Sequence, residues 1–174
     1  MYLLDADVLI TAKNRYYAFD IAPGFWDWLA RAHAANQVAS IESVRAELLR
    51  GNDELARWAG EHSPFFRELD DATVHHFRPL AAWASAQKFS PSALAAFTGN
   101  QADFQLIAFA CEHQHIVVTH ERSHPEAKKR VMIPDACAAM NVRTIDAFEM
   151  LRRTGACFDL RVPMDGGRPS CTLS

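Results

Sequence analysis

Apolar residues along the chain follow two alternating rhythms: compact runs of three or four, and longer stretches where they return every three or four positions. The compact runs predict short buried strands. Tyr2 to Leu4 is the first and stops near Asp5; "QVAS" follows, then "IVV" at Ile116, and "RVMI", ended by Pro134, is a further candidate. The longer stretches predict amphipathic helices. "PGFWDWLARAHAAN" carries Phe25, Trp28, Leu29 and Ala32 at helical spacing, with Pro23 and Gly24 at its start and Asn36 as a stop. "IESVRAELLRG" is closed by Gly51, the residue type favoured just beyond a last turn. From Asp53 to Phe97 the chain reads as several helices broken at Pro64, Pro79 and Pro91. "NQADFQLIAFACEHQ" places Phe104, Ile107, Ala108 and Cys111 on one stripe, a short helix runs through Met140, and "VRTID" leads into a last helix, "AFEMLRRTG".

Short apolar strands alternating with amphipathic helices predict an α/β fold whose parallel sheet is covered on both faces. The expected organisation is one domain over residues 1–155 and an extended or loosely ordered tail over residues 156–174, where Gly, Pro and Ser gather. In open parallel sheets, ligands collect at the carboxyl ends of the strands. The polar residues at those ends are therefore the first candidates for function.

Composition narrows the classes only modestly. The chain has 174 residues, 49% of them hydrophobic and 22% charged, an ordinary globular balance. No apolar run approaches the roughly 18 residues of a membrane span. The start, "MYLLDADVLI", meets two acids at once and lacks the basic region of a secretory signal. Cys111, Cys137, Cys157 and Cys171 form no C-x-x-C pair, which fits reduced thiols and a cytoplasmic protein. A net charge of −3 argues against attachment to nucleic acid by bulk charge alone, but leaves room for an enzyme acting on it through a carboxylate-metal site.

One motif invites a different chemistry. His120-Glu121-x-x-His124 has the spacing that sets two imidazoles on one helix face to hold zinc, as in HExxH proteases. Pro125 directly after His124 disfavours the helix this requires, and the β-branched lead-in favours a strand. With a strand, the segment delivers Glu121 to the sheet's edge, as the first strand delivers Asp5. Asp103 lies in the first turn of its helix on the side that packs inward, and Glu47 flanks the apolar stripe of Ile41, Val44 and Leu48, where a half-buried carboxylate needs a partner. Glu42 points away from that stripe and is expected to be solvated. Four acids reaching one edge repel unless a cation neutralises them. Oxygen ligands of this kind select Mg²⁺ or Mn²⁺.

"YLLDADVLI", "RAELLRG", "QADFQLIAFA" and "VVTHE" resemble, in order and approximate spacing, the PIN-domain nucleases, a superfamily that includes VapC-type toxins. More narrowly, "AKNRYYAFDIAPGFWDWL" and "IPDAC" look like a PIN-like group catalogued as a domain of unknown function and often encoded beside a small partner in bacteria. The resemblance spans residues 2–155. It implies a three-layer α/β/α sandwich with a short, mostly parallel central sheet, and a ribonuclease using Mg²⁺ or Mn²⁺, the toxin half of a toxin–antitoxin pair. Asp5, Glu47, Asp103 and Glu121 would be the metal-binding, catalytic acids, with Asp7 and Thr119 supporting them. The family commonly has Asp where this chain has Glu121, which changes the reach at that position. Partners would be RNA as substrate and an antitoxin protein; a homodimer is compatible.

Lys13 and Arg15 are candidates for holding a phosphate, and Tyr16 or Tyr17 for stacking on an unpaired base. The Lys128 to Arg130 run lies near Glu121 and is either solvated or a guide for the backbone. Asp135 reads as a helix cap rather than a fifth ligand, and Phe25, Trp26 and Trp28 as core or subunit contact. Three rivals stand beside the nuclease: a PIN-like module that binds RNA or a partner without turnover, a haloacid-dehalogenase-type phosphatase using Asp5 as nucleophile, and the zinc protease.

Overall fold

Most of the compact apolar runs become strands, joined into one parallel sheet. The computed structural model describes residues 1–99 and 101–158, so most of the expected tail, residues 159–174, lies outside the described residues. Five strands, β1 (Tyr2–Leu4), β2 (Val38–Ile41), β3 (Phe66–Arg67), β4 (Ile116–Val118) and β5 (Thr144–Ile145), lie side by side in the order β3-β2-β1-β4-β5. Every neighbouring pair is parallel, with Tyr2 beside both Val38 and Ile116 in register. Leu3, Leu4, Val38, Ile41, Val117 and Val118 are fully buried. At roughly 1.5–3 kcal/mol per buried aliphatic side chain, burial outweighs the few ladder hydrogen bonds that strands this short can form.

Helices flank the sheet: α1 (Ala6–Thr11), α2 (Pro23–Ala34), α3 (Glu42–Leu49), α4 (Glu54–Glu61), α5 (Asp71–Val74), α6 (Phe77–Ala86), α7 (Pro91–Thr98), α8 (Ala102–Glu112), α9 (Ile133–Ala139) and α10 (Ala147–Arg153). The α/β expectation of a parallel sheet flanked by helices holds. Phe25, Trp26 and Trp28 are buried core residues, and the Trp26 indole donates to the Tyr17 carbonyl at 2.7 Å. Among the described residues, no helix is long and apolar enough to cross a membrane.

Several local expectations fail for identifiable reasons. "RVMI" is not a strand: Ile133 opens α9 with Pro134 in its first turn, where a missing N–H costs nothing. Val131 and Ile133 are apolar because they pack, at 3% and 1% exposure, not because they pair. The fifth strand comes from "VRTID" instead. Pro79 does not break a helix but sits in the first turn of α6. The edge strand β3 has only two residues, too few for alternation to register. After α3 the left-handed residue is Asn52, at φ 48°, and not Gly51. Asn36, at φ 54°, does end the segment of α2 as expected.

Candidate functional site

β1 has β2 on one side and β4 on the other, so the chain's winding reverses between β1 and β4. At such a switch point the loops leaving the two strands part and open a crevice at their carboxyl ends. Asp5 leaves β1 there and Thr119 leaves β4. The Asp5 N–H still donates to Val118 O at 3.1 Å, while Thr119 N–H donates to Ile145 O at 3.1 Å.

Asp5 occupies the N-cap position of α1 with extended backbone, yet its side chain accepts no capping hydrogen bond from that helix. Its carboxylate is turned to the crevice, 4% exposed, with Oδ2 accepting from the Thr119 hydroxyl at 3.1 Å. The same Thr119 Oγ1 accepts from the Glu121 N–H at 3.1 Å, so one hydroxyl links the ends of β1 and β4. Thr119→Val keeps the shape and removes both bonds. Urea unfolding of that variant is expected to show a loss of about 1–3 kcal/mol; a loss below roughly 0.5 kcal/mol would refute the linking role.

A cleft of about 730 Å³ opens over Asp5. Its walls include Asp7, Glu47, Asp103 and Glu121, together with three cations, Arg50, Lys129 and Arg130. All four acids singled out in the sequence therefore share one cleft, from four separate elements. Asp103 reaches it from the first turn of α8. Glu121 follows β4, its side chain only 9% exposed; Oε2 accepts from the Ile133 N–H at 2.8 Å, and Oε1 is ion-paired to Arg130. Glu47 departs from expectation. It is exposed on the rim rather than half-buried, while the Glu42 side chain is largely solvated as expected and pairs with Arg45 at 2.8 Å. Asp7 is exposed and accepts from Thr11 at 3.3 Å.

The electrostatics record the crowding. Burial, then the nearby Asp103 charge, push the Asp5 carboxyl up to about 7 against the pull of the Thr119 bond; Glu121 and Asp7 add to the rise. Burial, then Glu121, raise Asp103 to about 6, with Arg130 opposing and Glu47 adding. Two carboxyls thus retain protons well above their ordinary range. A hard divalent cation matches this donor set in kind. The geometry is not a preformed cage, however: among the described residues, no group of three His, Cys, Asp or Glu side chains is gathered so that it could hold a metal ion as it stands. Glu121 faces Arg130 and Ile133, and Glu47 sits on the rim.

Other candidates are placed differently. Residues 120–124 form a bend and an irregular stretch, not a helix, so the arrangement required by an HExxH zinc site is absent there. Lys13 is drawn away to Asp53, at 2.8 Å, and neither Lys13 nor Arg15 lines the cleft. The cations that do line it, Arg50 and the Lys129–Arg130 end of the basic run, were not distinguishable in sequence from solvated charge. Asp135 is neither a cap nor part of the cleft wall: its carboxylate accepts from the Ser123 hydroxyl and from the His124 N–H at 3.0 Å, tying down the loop after β4. Tyr17 stacks on Phe25 at 4.3 Å, while Tyr16 is exposed in a groove adjoining the cleft.

Comparison with solved structures yields similarity in fold. VapBC2 from Rickettsia felis, bound to a DNA fragment from their promoter, aligns with a TM-score of 0.53 at 12% identity, over 83% of this chain and 97% of that one. FitAB bound to the IR36 DNA fragment aligns with a TM-score of 0.50 at 16% identity, over 84% of this chain and 94% of that one. No curated protein matches the sequence significantly. The sequence does match, over residues 2–158, the family model described as Domain of unknown function (DUF4411), and the chain belongs to that family.

Proposed function

We propose that the chain is an endoribonuclease that hydrolyses RNA phosphodiesters with Mg²⁺ or Mn²⁺ and acts as the toxin of a toxin–antitoxin pair. The observation that carries this is the convergence of Asp5, Glu47, Asp103 and Glu121 on one cleft at the switch point, with Asp5 and Asp103 raised by burial and by the charges of neighbouring acids. The PIN-like fold and the similarity to VapBC2 and FitAB, both solved as complexes, support the toxin role and an antitoxin partner.

Asp5, Asp103 and Glu121, with Glu47 at the rim, are the residues that would hold the cation. When bound, it supplies the positive charge that acidifies water and neutralises a phosphoryl oxygen. The rest falls to the protein. Thr119 orients the Asp5 carboxylate through Oδ2. Arg50, Lys129 and Arg130 face the same space and can grip the phosphate backbone. Asp5, raised to about 7, keeps its proton in part of the population near neutral pH until its charge is compensated, whereas Asp103, raised to about 6, is mostly ionised there. Arg130 must release Glu121 for that acid to take part.

The engaged state of Glu121 favours one rival, a module that binds RNA without cutting it. Incubating the protein with end-labelled RNA decides between them. Cleavage is expected with Mg²⁺ or Mn²⁺, is abolished by a chelator and returns on metal replacement, and Asp103→Asn lowers it by about a hundredfold. RNA retained but uncut under either metal supports the binding module; cleavage that persists in chelator rejects the proposed chemistry.

A further inference from the structure

Glu121 lines a second space besides the acidic cleft. A groove of about 620 Å³ opens at the carboxyl ends of β4 and β5, bounded by Tyr16, Thr119, His120, Glu121, Arg122 and Phe148, among others. Tyr16 is 48% exposed and Phe148 40%, although Tyr17 and Phe25 nearby are stacked against one another and partly or fully buried. The Tyr16 ring meets Phe148 edge-on at 5.4 Å and lies 6.4 Å from His120. Three rings from three separate segments, the π-helical stretch Ala12–Tyr16 after α1, the loop after β4 and the start of α10, therefore meet at one place.

We infer that this groove is a nucleobase subsite: Tyr16, Phe148 and His120 stack an unpaired base next to the phosphate held over the acids. The inference rests on the ribonuclease reading and narrows its substrate to single-stranded RNA. Three observations favour a base over a protein segment as the occupant. The groove shares Glu121 with the acidic cleft, so the two spaces adjoin and a chain lying over the acids has the groove next to it. Arg122 on its wall is a cation suited to the flanking phosphate or to stacking on the base. The edge-on contact between Tyr16 and Phe148 is the geometry in which one ring buttresses the other and leaves a π-face free. Bases within a duplex are already stacked and cannot enter; an unpaired base can.

The test uses the full chain, a fluorescein-labelled ten-nucleotide oligoadenylate and its duplex with oligouridylate, with binding followed by anisotropy in chelator so that the measurement is independent of cleavage. Tyr16→Ala and Phe148→Ala are each expected to weaken single-strand binding by about tenfold, within the range for losing one base stack, and to leave duplex binding unchanged. Tyr16→Phe and Phe148→Tyr should retain wild-type affinity, which separates loss of stacking from misfolding. Unchanged single-strand affinity in both alanine variants overturns the subsite, as does an equal loss for duplex and single strand. The two proposals fail separately: a protein that never cleaves but shows this aromatic-dependent, single-strand-selective binding loses the nuclease reading and keeps the subsite.

Discussion

Asp5→Asn is expected to lower RNA cleavage by about a thousandfold, the rate equivalent of roughly 4 kcal/mol, and at the same time to make the metal-free protein more stable near neutral pH. The two effects have one cause. Asp5 is 4% exposed and sits among Asp103, Glu121 and Asp7, so its charge is desolvated and repelled. Asparagine keeps the shape and can still accept from Thr119, but carries no charge to repel its neighbours or to bind a cation. A residue whose role is only to support the fold would behave the opposite way, losing stability when changed. Measuring initial cleavage rates with Mn²⁺ and urea midpoints in chelator on the same preparation checks both limbs. Glu121→Gln serves as the companion: it should also lose activity, but without a comparable stability gain, because Glu121 already has Arg130 and the Ile133 N–H as partners. Full activity in both variants would refute the role given to the acids.

The contrast between these two acids also explains how much of the site was legible in the sequence. Asp5 directly follows one apolar run and Glu121 comes three positions after another, so once those runs are strands in a parallel sheet, the chain's own order delivers both acids to the same edge. Asp103 was legible from helical phase, since the inward side of α8 is set by Phe104 and Ile107. Glu47 was only half legible: its helix and its general side are right, but whether a flanking residue is covered depends on what packs above it, and among the described residues Glu47 is exposed. Arg130 was legible only as one end of a basic run near Glu121, either solvated or a guide for the backbone, and not as the partner of that acid. It reaches Glu121 across the irregular segment 122–132, and no periodicity constrains where a loop cation points. Lys13 fails for the complementary reason, since Asp53 claims it from 40 positions away. The fold followed the same division. Strands buried on both faces announced themselves, while β3 and β5, with two residues each, became strands only because a neighbour offered them a ladder.

The metal-free protein should become less stable as the pH rises from about 4 to about 8, a direction opposite to ordinary acid denaturation. In the unfolded chain both aspartates lose their protons near 3.8, whereas in the folded protein Asp5 holds its proton to about 7 and Asp103 to about 6. Between those values the native state binds more protons than the unfolded one, so raising the pH pulls the equilibrium toward unfolding. The contribution is fully present below about pH 4 and is lost as the pH passes the folded values. For Asp5 alone it is on the order of 4 kcal/mol; because the two acids repel, their titrations merge into one broad step rather than adding as independent groups. Other groups act in the opposite sense. Asp53 and Asp70 are held below the carboxylate range by their hydrogen bonds, to Lys13 and Thr73 respectively, but their contribution is lost only as the pH falls below about 4. Burial lowers His115 to about 4, with the N-terminal amino group and His113 adding; its contribution is lost as the pH falls below about 6.5, which partly masks the aspartate trend. The decisive quantity is therefore the difference between wild type and Asp5→Asn, which cancels His115. Urea unfolding in chelator should show the variant gaining on the wild type steadily from about pH 5 to about pH 8, and on the proposed chemistry excess Mg²⁺ or Mn²⁺ should return that advantage to the wild type, because the cation would bind the ionised acids and Asp5→Asn removes one of them. Parallel stability curves for the two proteins across that window would mean that Asp5 does not carry a buried, repelled charge, and the case for a cation at this cleft would fall with it.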